Sequence, residues 1–294
     1  MKVPFVNIGL QYQFLRDQIL SKFDEISNKG EYILGSEVKK FEEEFADYCG
    51  TKYSIGVGNG SDALSFSMIA LNIGKEDEDE VIIPGNSYVA TAWTVANVGA
   101  KPVFVDVLED FNIDPLKIEQ AITKKTKAII PVHLTGRIAH MDQINQLAKK
   151  FNLQVIEDAA QAAGASMRNK KSGSFGKIGC FSLHPLKNLH IHGDGGMITT
   201  NDKNVYDFIK KLRNHGLKNR DECEFWGFNS RLDNIQAAIA RIKLPYLDQW
   251  NKKFIEIAKV YSNEFKKIVT VPVNDTNKIS VYHRYIIQSS KRNE

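Results

Sequence analysis

The sequence is short of cysteine, of net charge and of uninterrupted apolar runs, and each shortage excludes something. Cys49, Cys180 and Cys223 are the three cysteines in 294 residues; they lie far apart and form no CxxC pair. That pattern gives no disulfide framework and suits a reducing compartment with buried thiols, so a cytoplasmic location is expected. Lys plus Arg number 39 against 35 Asp plus Glu, a net charge of +4 with the signs interspersed. No basic stripe therefore marks a nucleic-acid partner. The opening Met1-Lys2-Val3-Pro4-Phe5 lacks the apolar h-region of a signal peptide, and the mature chain is expected to start near residue 1. One uncharged stretch, 81–100, approaches membrane-span length, but Pro84, Gly85, Asn86, Ser87, Asn97 and Gly99 interrupt it. A buried strand, loop and helix is the expected form, with no membrane association. No internal repeat or low-complexity tract is present.

What is there reads as a soluble α/β protein. Apolar residues make up 43% and charged residues 25%, enough core for one large domain or two smaller ones. An amphipathic helix runs to about Lys29, and Val38, Phe41, Phe45 and Tyr48 recur at helical spacing in the next. Strands are expected over 81–84, 103–107 and 128–134, with helices over 86–98, 115–122 and 141–151. Gly99 sits where a helix C-terminal glycine belongs. Strands alternating with helices predict a mostly parallel sheet flanked by helices, with ligands at the carboxyl ends of the strands. Beyond Pro245 the pattern predicts one long helix over 246–267.

The chemistry concentrates in 155–200. Val155-Ile156-Glu157-Asp158 is a short strand ending in two carboxylates, followed by a run of alanines and Gly164 that lets backbone approach a flat ligand. Cys180-Phe181-Ser182-Leu183 predicts a second strand. His184-Pro185-Leu186-Lys187-Asn188-Leu189 predicts a loop, and Gly193-Asp194-Gly195-Gly196 a turn into a third strand over 197–200. An isolated lysine is ordinarily a solvated cation. One held between strands and desolvated becomes able to form a Schiff base, as pyridoxal phosphate (PLP) requires. PLP withdraws electrons when its ring nitrogen is protonated, which calls for a carboxylate on a rigid strand, and Asp158 is the candidate.

Earlier in the chain, Gly56-Val57-Gly58-Asn59-Gly60-Ser61-Asp62 is a glycine-rich turn opening a helix to about Leu71. Free amides at a helix start make an anion site. The competing reading is a dinucleotide turn, but the third glycine of GxGxxG falls at Ser61. His190-x-His192 with Asp194 lacks further ligands at metal spacing, so no metal is expected. His133, after an apolar run, is expected to satisfy a core hydrogen bond.

These motifs carry a resemblance. Glu157-Asp158-Ala159-Ala160-Gln161, Gly173-Ser174-Phe175-Gly176, 181–189 with Lys187, Gly193-Asp194-Gly195-Gly196 and Asn229-Ser230-Arg231-Leu232-Asp233 resemble, in order and spacing, the DegT/DnrJ/EryC1/StrS family. The resemblance covers almost the whole chain. It implies a fold type I, PLP-dependent aminotransferase that moves an amino group, from glutamate as the expected donor, to a nucleotide-linked keto sugar. By the same resemblance Lys187 holds the cofactor and shuttles the proton, and Asp158 keeps the ring cationic. Gly60, Ser61, Asp62 and Ser182 serve the cofactor phosphate, Gln161 its hydroxyl, and Tyr88 stacks on the ring unless it is an ordinary core aromatic. Asn229 reaches the neighbouring subunit's phosphate in a homodimer with shared active sites; on its own pattern the segment is also an N-capping loop, with Ser230 before a helix. The family's "HLYG" reads His133-Leu134-Thr135-Gly136 here, which alters the substrate pocket.

Residues 1–245 are then the large PLP-binding domain, and 246–294 the connecting helix and start of a small C-terminal domain whose first strand is expected over 282–287. Relatives continue past this point, so the sequence reads as a fragment, truncated at the C-terminus, of a longer reading frame. Two other readings remain. A sugar dehydratase of the same family has histidine in place of the lysine, which Lys187 argues against. A catalytically inactive truncated homologue would follow if the small domain cannot cover its own core.

Overall fold

Local sequence explains the first two helices. In a computed structural model describing residues 4, 6–76, 78–272 and 275–293, α1 spans Gly9–Lys29 and α2 spans Ser36–Cys49. Gly30 and Gly50 end them at φ 69° and 72°, a left-handed turn that glycine adopts without a Cβ clash. The α2 face bearing Val38, Phe41, Phe45 and Cys49 is buried. The alternating part follows: β1 (Tyr53–Val57), α3 (Gly60–Ala70), β2 (Glu80–Pro84), α4 (Val89–Asn97), β3 (Lys101–Val105), α5 (Pro115–Ala121), β4 (Thr126–Ile129), α6 (Met141–Phe151) and β5 (Gln154–Asp158). Two short strands, β6 (Ser166–Met167) and β7 (Lys170–Lys171), precede β8 (Ile178–Ser182), β9 (Gly196–Thr200) and α7 (Lys203–Leu212). The chain goes on through α8 (Asn234–Lys243), α9 (Leu247–Phe265) and β10 (Lys278–Ile279).

Seven strands form one sheet in the order β1-β9-β8-β5-β4-β2-β3. β9 alone runs against the others, pairing antiparallel with β1 and β8. The remaining pairs are parallel, so the carboxyl ends of β1, β2, β5 and β8 share one edge. Successive side chains point to opposite faces, and the two faces feed two cores. Ile82, Ile129, Val155, Phe181 and Met197 join one apolar cluster; Ile83, Ile130, Ile156, Cys180 and Ile198 join the other. Both faces of the sheet are thus covered, which is why its strands read as continuous apolar runs.

Several expected boundaries shift for identifiable reasons. The helix expected from Asn86 begins at Val89, because Asn86 Nδ2 donates instead to the Phe111 carbonyl. The strand expected over 128–134 ends at Ile129, and beyond it only Val132 bridges to Asp158. Ser230 caps no helix: α8 starts at Asn234 after Asp233, and the Ser230 hydroxyl donates to Asp62. The strand expected over 282–287 is not in a sheet; Tyr282 has φ 46°, and the nearest pairing is the single bridge of Thr270 with Gln288. The chain after α9 does pair elsewhere, β10 joining β6 and β7 in a three-stranded sheet. Cys49 and Cys180 are buried as expected, but Cys223 is exposed. Of the opening 1–5, read above for a signal peptide, only Pro4 is among the described residues. Among the described residues no helix is long and apolar enough to cross a membrane.

Candidate active site

The shared strand edge gathers most of the residues singled out in the sequence. β1 leads into Gly60-Ser61-Asp62, β2 into Tyr88, β5 ends at Asp158 with Gln161 beyond it, and β8 ends at Ser182 before the Lys187 loop. This is where an open parallel sheet binds ligands.

The first turn of α3 is built by side-chain ties. Asn59 accepts the Asp62 amide at 2.8 Å as N-cap, a bond that fixes the helix start. The Asp62 carboxylate takes the Ser230 hydroxyl at 2.6 Å and Asn59 Nδ2 at 2.9 Å, while Ser230 Oγ accepts the Gly58 amide at 2.9 Å. Both polar ends of Asp62 are therefore engaged in shaping the turn, leaving the amides of Gly60 and Ser61 as the open donors of the helix start. Gly60 is required by space: a Cβ there would lie 2.8 Å from Ser182 Cβ. The close approach of α3 to the end of β8 puts the Ser182 hydroxyl beside those amides.

On β5 neighbouring carboxylates face opposite ways. Asp158 Oδ2 accepts the Thr91 hydroxyl at 2.8 Å, Thr91 is in turn 2.7 Å from Ser87 Oγ, and Asp158 Oδ1 accepts the Ala160 amide at 3.2 Å. Asp158 is thereby held at the sheet edge under α4. Glu157, fully buried, accepts the amides of Gly173 at 2.8 Å and of Phe175 and Gly176 at 2.6 Å, and meets His133 Nε2 at 2.9 Å. Since the Ala139 amide donates to His133 Nδ1 at 3.2 Å, the ring proton lies on Nε2 and goes to Glu157. His133 is thus the satisfied core histidine expected of it. The Gly173-Ser174-Phe175-Gly176 motif gains a physical reason, since it wraps the Glu157 carboxylate. Sequence reading missed both Glu157 and Thr91. The acid pair Glu157-Asp158 followed by a distant glycine-rich loop was the available signal for the first; none existed for Thr91.

Lys187 lies half-buried in a loop pinned at several points. Its amide donates to the His184 carbonyl at 2.8 Å, its carbonyl accepts from His190 Nδ1 at 3.1 Å, and Asn188 Nδ2 donates to Asn251 Oδ1 at 2.8 Å. Burial lowers the Lys187 pKa, Asp158 opposes the shift and Arg284 adds to it, which favours the neutral, nucleophilic amine. Asp158 at the end of β5 pairs with Cys180 of β8, so the loop that leaves β8 with Lys187 starts next to the Asp158 end of the sheet edge. A cavity of about 630 Å³ is lined by Lys187, Asn188 and His190 of this loop and by Arg284.

Tyr88 is 73% exposed, so it is no core aromatic, and it stands just before α4 beside the Asp158 side of the site. Asn229 is exposed on a segment bridged to Asn214. The two histidines of the HxH pair have other work: His190 binds the Lys187 carbonyl and the His192 backbone pairs with Gln236. Among the described residues no cluster of three or more His, Cys, Asp or Glu could hold a metal.

The residues fit PLP. The Gln161 Oε1 is buried without a hydrogen-bond partner, an arrangement that calls for a donor such as a phenolic hydroxyl. The open amides at α3 suit a phosphate, and the carboxylate of Asp158, held at the sheet edge by Thr91, suits a cationic ring nitrogen.

Comparison with known proteins agrees. The profile of the DegT/DnrJ/EryC1/StrS aminotransferase family matches residues 13–294. The chain belongs to that family. A dTDP-3-amino-3,6-dideoxy-alpha-D-galactopyranose transaminase of Aneurinibacillus thermoaerophilus is 45% identical over 99% of this chain and 80% of its own length. A UDP-2-acetamido-2-deoxy-3-oxo-D-glucuronate aminotransferase of Pseudomonas aeruginosa is 41% identical over 99% of this chain and 81% of its own length. The crystal structure of S. venezuelae DesV in complex with a ketimine intermediate superposes with TM-score 0.96 at 39% identity, covering 99% of this chain and 79% of that one. Like these relatives, the family member described here has the fold type I architecture and is a PLP-dependent aminotransferase.

Because Thr91 supplies a hydrogen bond to the buried Asp158 carboxylate, Thr91→Val is expected to weaken PLP binding about tenfold, or ~1.4 kcal/mol, the size of one bond to a charged group. Fluorescence titration of the apoprotein with PLP measures it, and an unchanged affinity would show that Thr91 does not set the carboxylate.

Proposed function

We propose that this aminotransferase moves an amino group from glutamate to a nucleotide-linked keto sugar, and that Lys187 is its catalytic residue. The observation that carries the assignment is the Lys187 loop, which starts next to the Asp158 end of the sheet edge and is pinned so that it holds a half-buried amine with a lowered pKa. PLP, when bound, supplies the electron sink. Lys187 holds the cofactor and, once released, carries the proton to and from the reacting carbon. Asp158, steadied by Thr91, would hold the ring nitrogen in its protonated form. The amides of Gly60 and Ser61, with the Ser182 hydroxyl, take the phosphate; Asp62 shapes that turn. Gln161 Oε1 accepts the ring hydroxyl, and the exposed ring of Tyr88 covers the cofactor face.

The substrate class follows from relatives that act on dTDP-linked and UDP-linked sugars. A homodimer completes the site in this reading, Asn229 reaching the second copy's phosphate. The exposure of Trp226 and Phe228, close to Asn229 in the chain, supports an interface at that segment. Residues 1–245 form the PLP-binding domain and 246–294 begin the second, and two buried thiols suit the cytoplasm.

The test supplies PLP-loaded protein with 15N-glutamate and two acceptors, a dTDP-linked 3-oxo-6-deoxyhexose and UDP-2-acetamido-2-deoxy-3-oxo-glucuronate. Mass spectrometry should find a 15N-amino sugar from one of them. Label that stays in glutamate with both acceptors, or a dehydrated sugar without nitrogen, would remove the proposal.

A further inference from the structure

Asn251, near the start of α9, ties together the two loops that follow β5 and β8. It is 3% exposed. Its Nδ2 donates to the Ala163 carbonyl at 3.0 Å, and its Oδ1 accepts Asn188 Nδ2 at 2.8 Å. The partners fix how both amides are turned: the Ala163 carbonyl can only accept, and Asn188 spends its second N–H on the Val281 carbonyl at 3.2 Å. Ala163 lies two residues beyond Gln161, in a turn closed by the Ala162 amide on the Ala159 carbonyl and the Ala165 amide on the Ala162 carbonyl, each at 2.9 Å. Asn188 directly follows Lys187. One side chain from α9 therefore fixes the Gln161 turn against the Lys187 loop.

The surroundings are shaped to admit it. Gly164 has φ 91°, and a Cβ there would lie 2.5 Å from Asn251 Nδ2 and 2.7 Å from the Tyr48 hydroxyl, so the glycine that ends the alanine run makes room for α9. One turn before Asn251, Asp248 accepts the Tyr48 hydroxyl at 2.5 Å and Lys171 Nζ at 3.2 Å, and Lys171 stands 3.5 Å from the centre of the Tyr48 ring. These contacts anchor the start of α9 to α2 and β7 without using the Lys187 loop. Val281, fully buried, extends the clamp to a third strand-end loop, its amide donating to the Gly136 carbonyl at 2.8 Å.

We propose that Asn251 is a positioning residue for the transamination: it holds Lys187 in register with Gln161. The aldehyde and the phenolic hydroxyl of PLP sit on neighbouring ring carbons, so an amine and an acceptor that serve them must keep a fixed separation. Misplacement by about 1 Å costs on the order of 10²-fold in rate. The proposal rests on the roles assigned to Lys187 and Gln161 above.

Two variants cut the link from opposite sides. Asn251→Leu removes both bonds at similar volume, and Asn188→Ala removes the loop's half while leaving Asn251 on Ala163. Each is compared with the wild type as folded, PLP-loaded protein, well below its urea midpoint. In the half-reaction with glutamate, followed by loss of the visible absorption, both variants should lower the rate at saturation about tenfold, the worth of one buried hydrogen bond. The glutamate concentration for half-maximal rate should stay within about twofold, as for an interaction that does not bind substrate. Without substrate, the pH midpoint of the visible absorption should rise by about one unit, because a loosened loop lets water reach the half-buried nitrogen and favours its charged form. The double variant should be no slower than Asn251→Leu, since both residues act through one bond.

A saturating rate and a pH midpoint that both match the wild type in either folded variant would overturn the proposal, as would rate losses that multiply in the double variant. Should Asn251→Leu fail to fold, Asn188→Ala decides by the same two readouts. Borohydride fixation of PLP on a lysine other than Lys187 in the wild type would remove the assignment of that lysine and this proposal with it. Cofactor fixed on Lys187 with both readouts unmoved removes this proposal alone.

Discussion

Lys187→Ala is expected to lower turnover on the order of 10⁴-fold, because in the proposed assignment one amine both holds the cofactor and moves the proton. The loss belongs to chemistry and not to folding. Lys187 is half-buried in a loop whose anchors are its own backbone amide and carbonyl, with the Asn188 side chain, and an alanine keeps those backbone bonds. Two readouts separate this role from a general loss of binding. Borohydride treatment of the PLP-loaded wild type should add the cofactor mass to the peptide containing Lys187, and the variant should gain none at any position. The variant should nevertheless unfold at an unchanged urea midpoint. Retention of a borohydride-fixed cofactor on another lysine would mean that the amine has been assigned to the wrong residue.

Glu157→Leu is expected to give the largest loss of stability, ~3–5 kcal/mol, as breaking a buried charged network by removing one partner does. The Glu157 carboxylate accepts three backbone amides of the 173–176 loop and the His133 ring, and leucine leaves all four donors buried without acceptors. Glu157→Gln keeps an acceptor but adds an NH₂ group among donors, so an intermediate loss is expected. Urea unfolding followed by circular dichroism ranks the three proteins. A Glu157→Leu midpoint equal to the wild type would show that the loop is held by packing alone. PLP binding adds a second distinction: Glu157 points away from Asp158, so the Glu157→Gln protein should still load cofactor once folded.

The order of the chain made much of this legible. Strands of four or five apolar residues alternating with amphipathic helices specify a parallel sheet, because only helices on both faces can bury such strands. The carboxyl ends of those strands were therefore the place to look, and Asp158, Ser182 and the Lys187 loop are found there. What failed to read was local structure set by partners distant in sequence. Ser230 looked like an N-cap, yet its hydroxyl is drawn to Asp62, 168 residues earlier. Residues 282–287 resemble the first strand of the family's small domain, but a strand exists only when a neighbour pairs its backbone, and among the described residues the nearest such pairing is Gln288 with Thr270. Asp62, assigned to the phosphate by resemblance, has its amide and carboxylate bonded to Asn59 and Ser230, partners that the linear order did not pair with it.

The amino-acid sequence by itself determined the fold class and the family, and it singled out Lys187, Asp158 and the start of α3 as the residues to which the proposed chemistry is assigned. Each depends on short-range periodicity or on residue types at fixed spacing, which the linear order carries in full. Only the tertiary structure decided that Glu157 is a structural anchor while its neighbour Asp158 faces the sheet edge, that Thr91 steadies Asp158, and that Lys243 lies buried with no hydrogen-bond partner among the described residues. Those facts depend on which side chains from remote segments share a low-dielectric interior. There the cost of leaving a donor or a charge unpaired, and not its position along the chain, dictates what each group does.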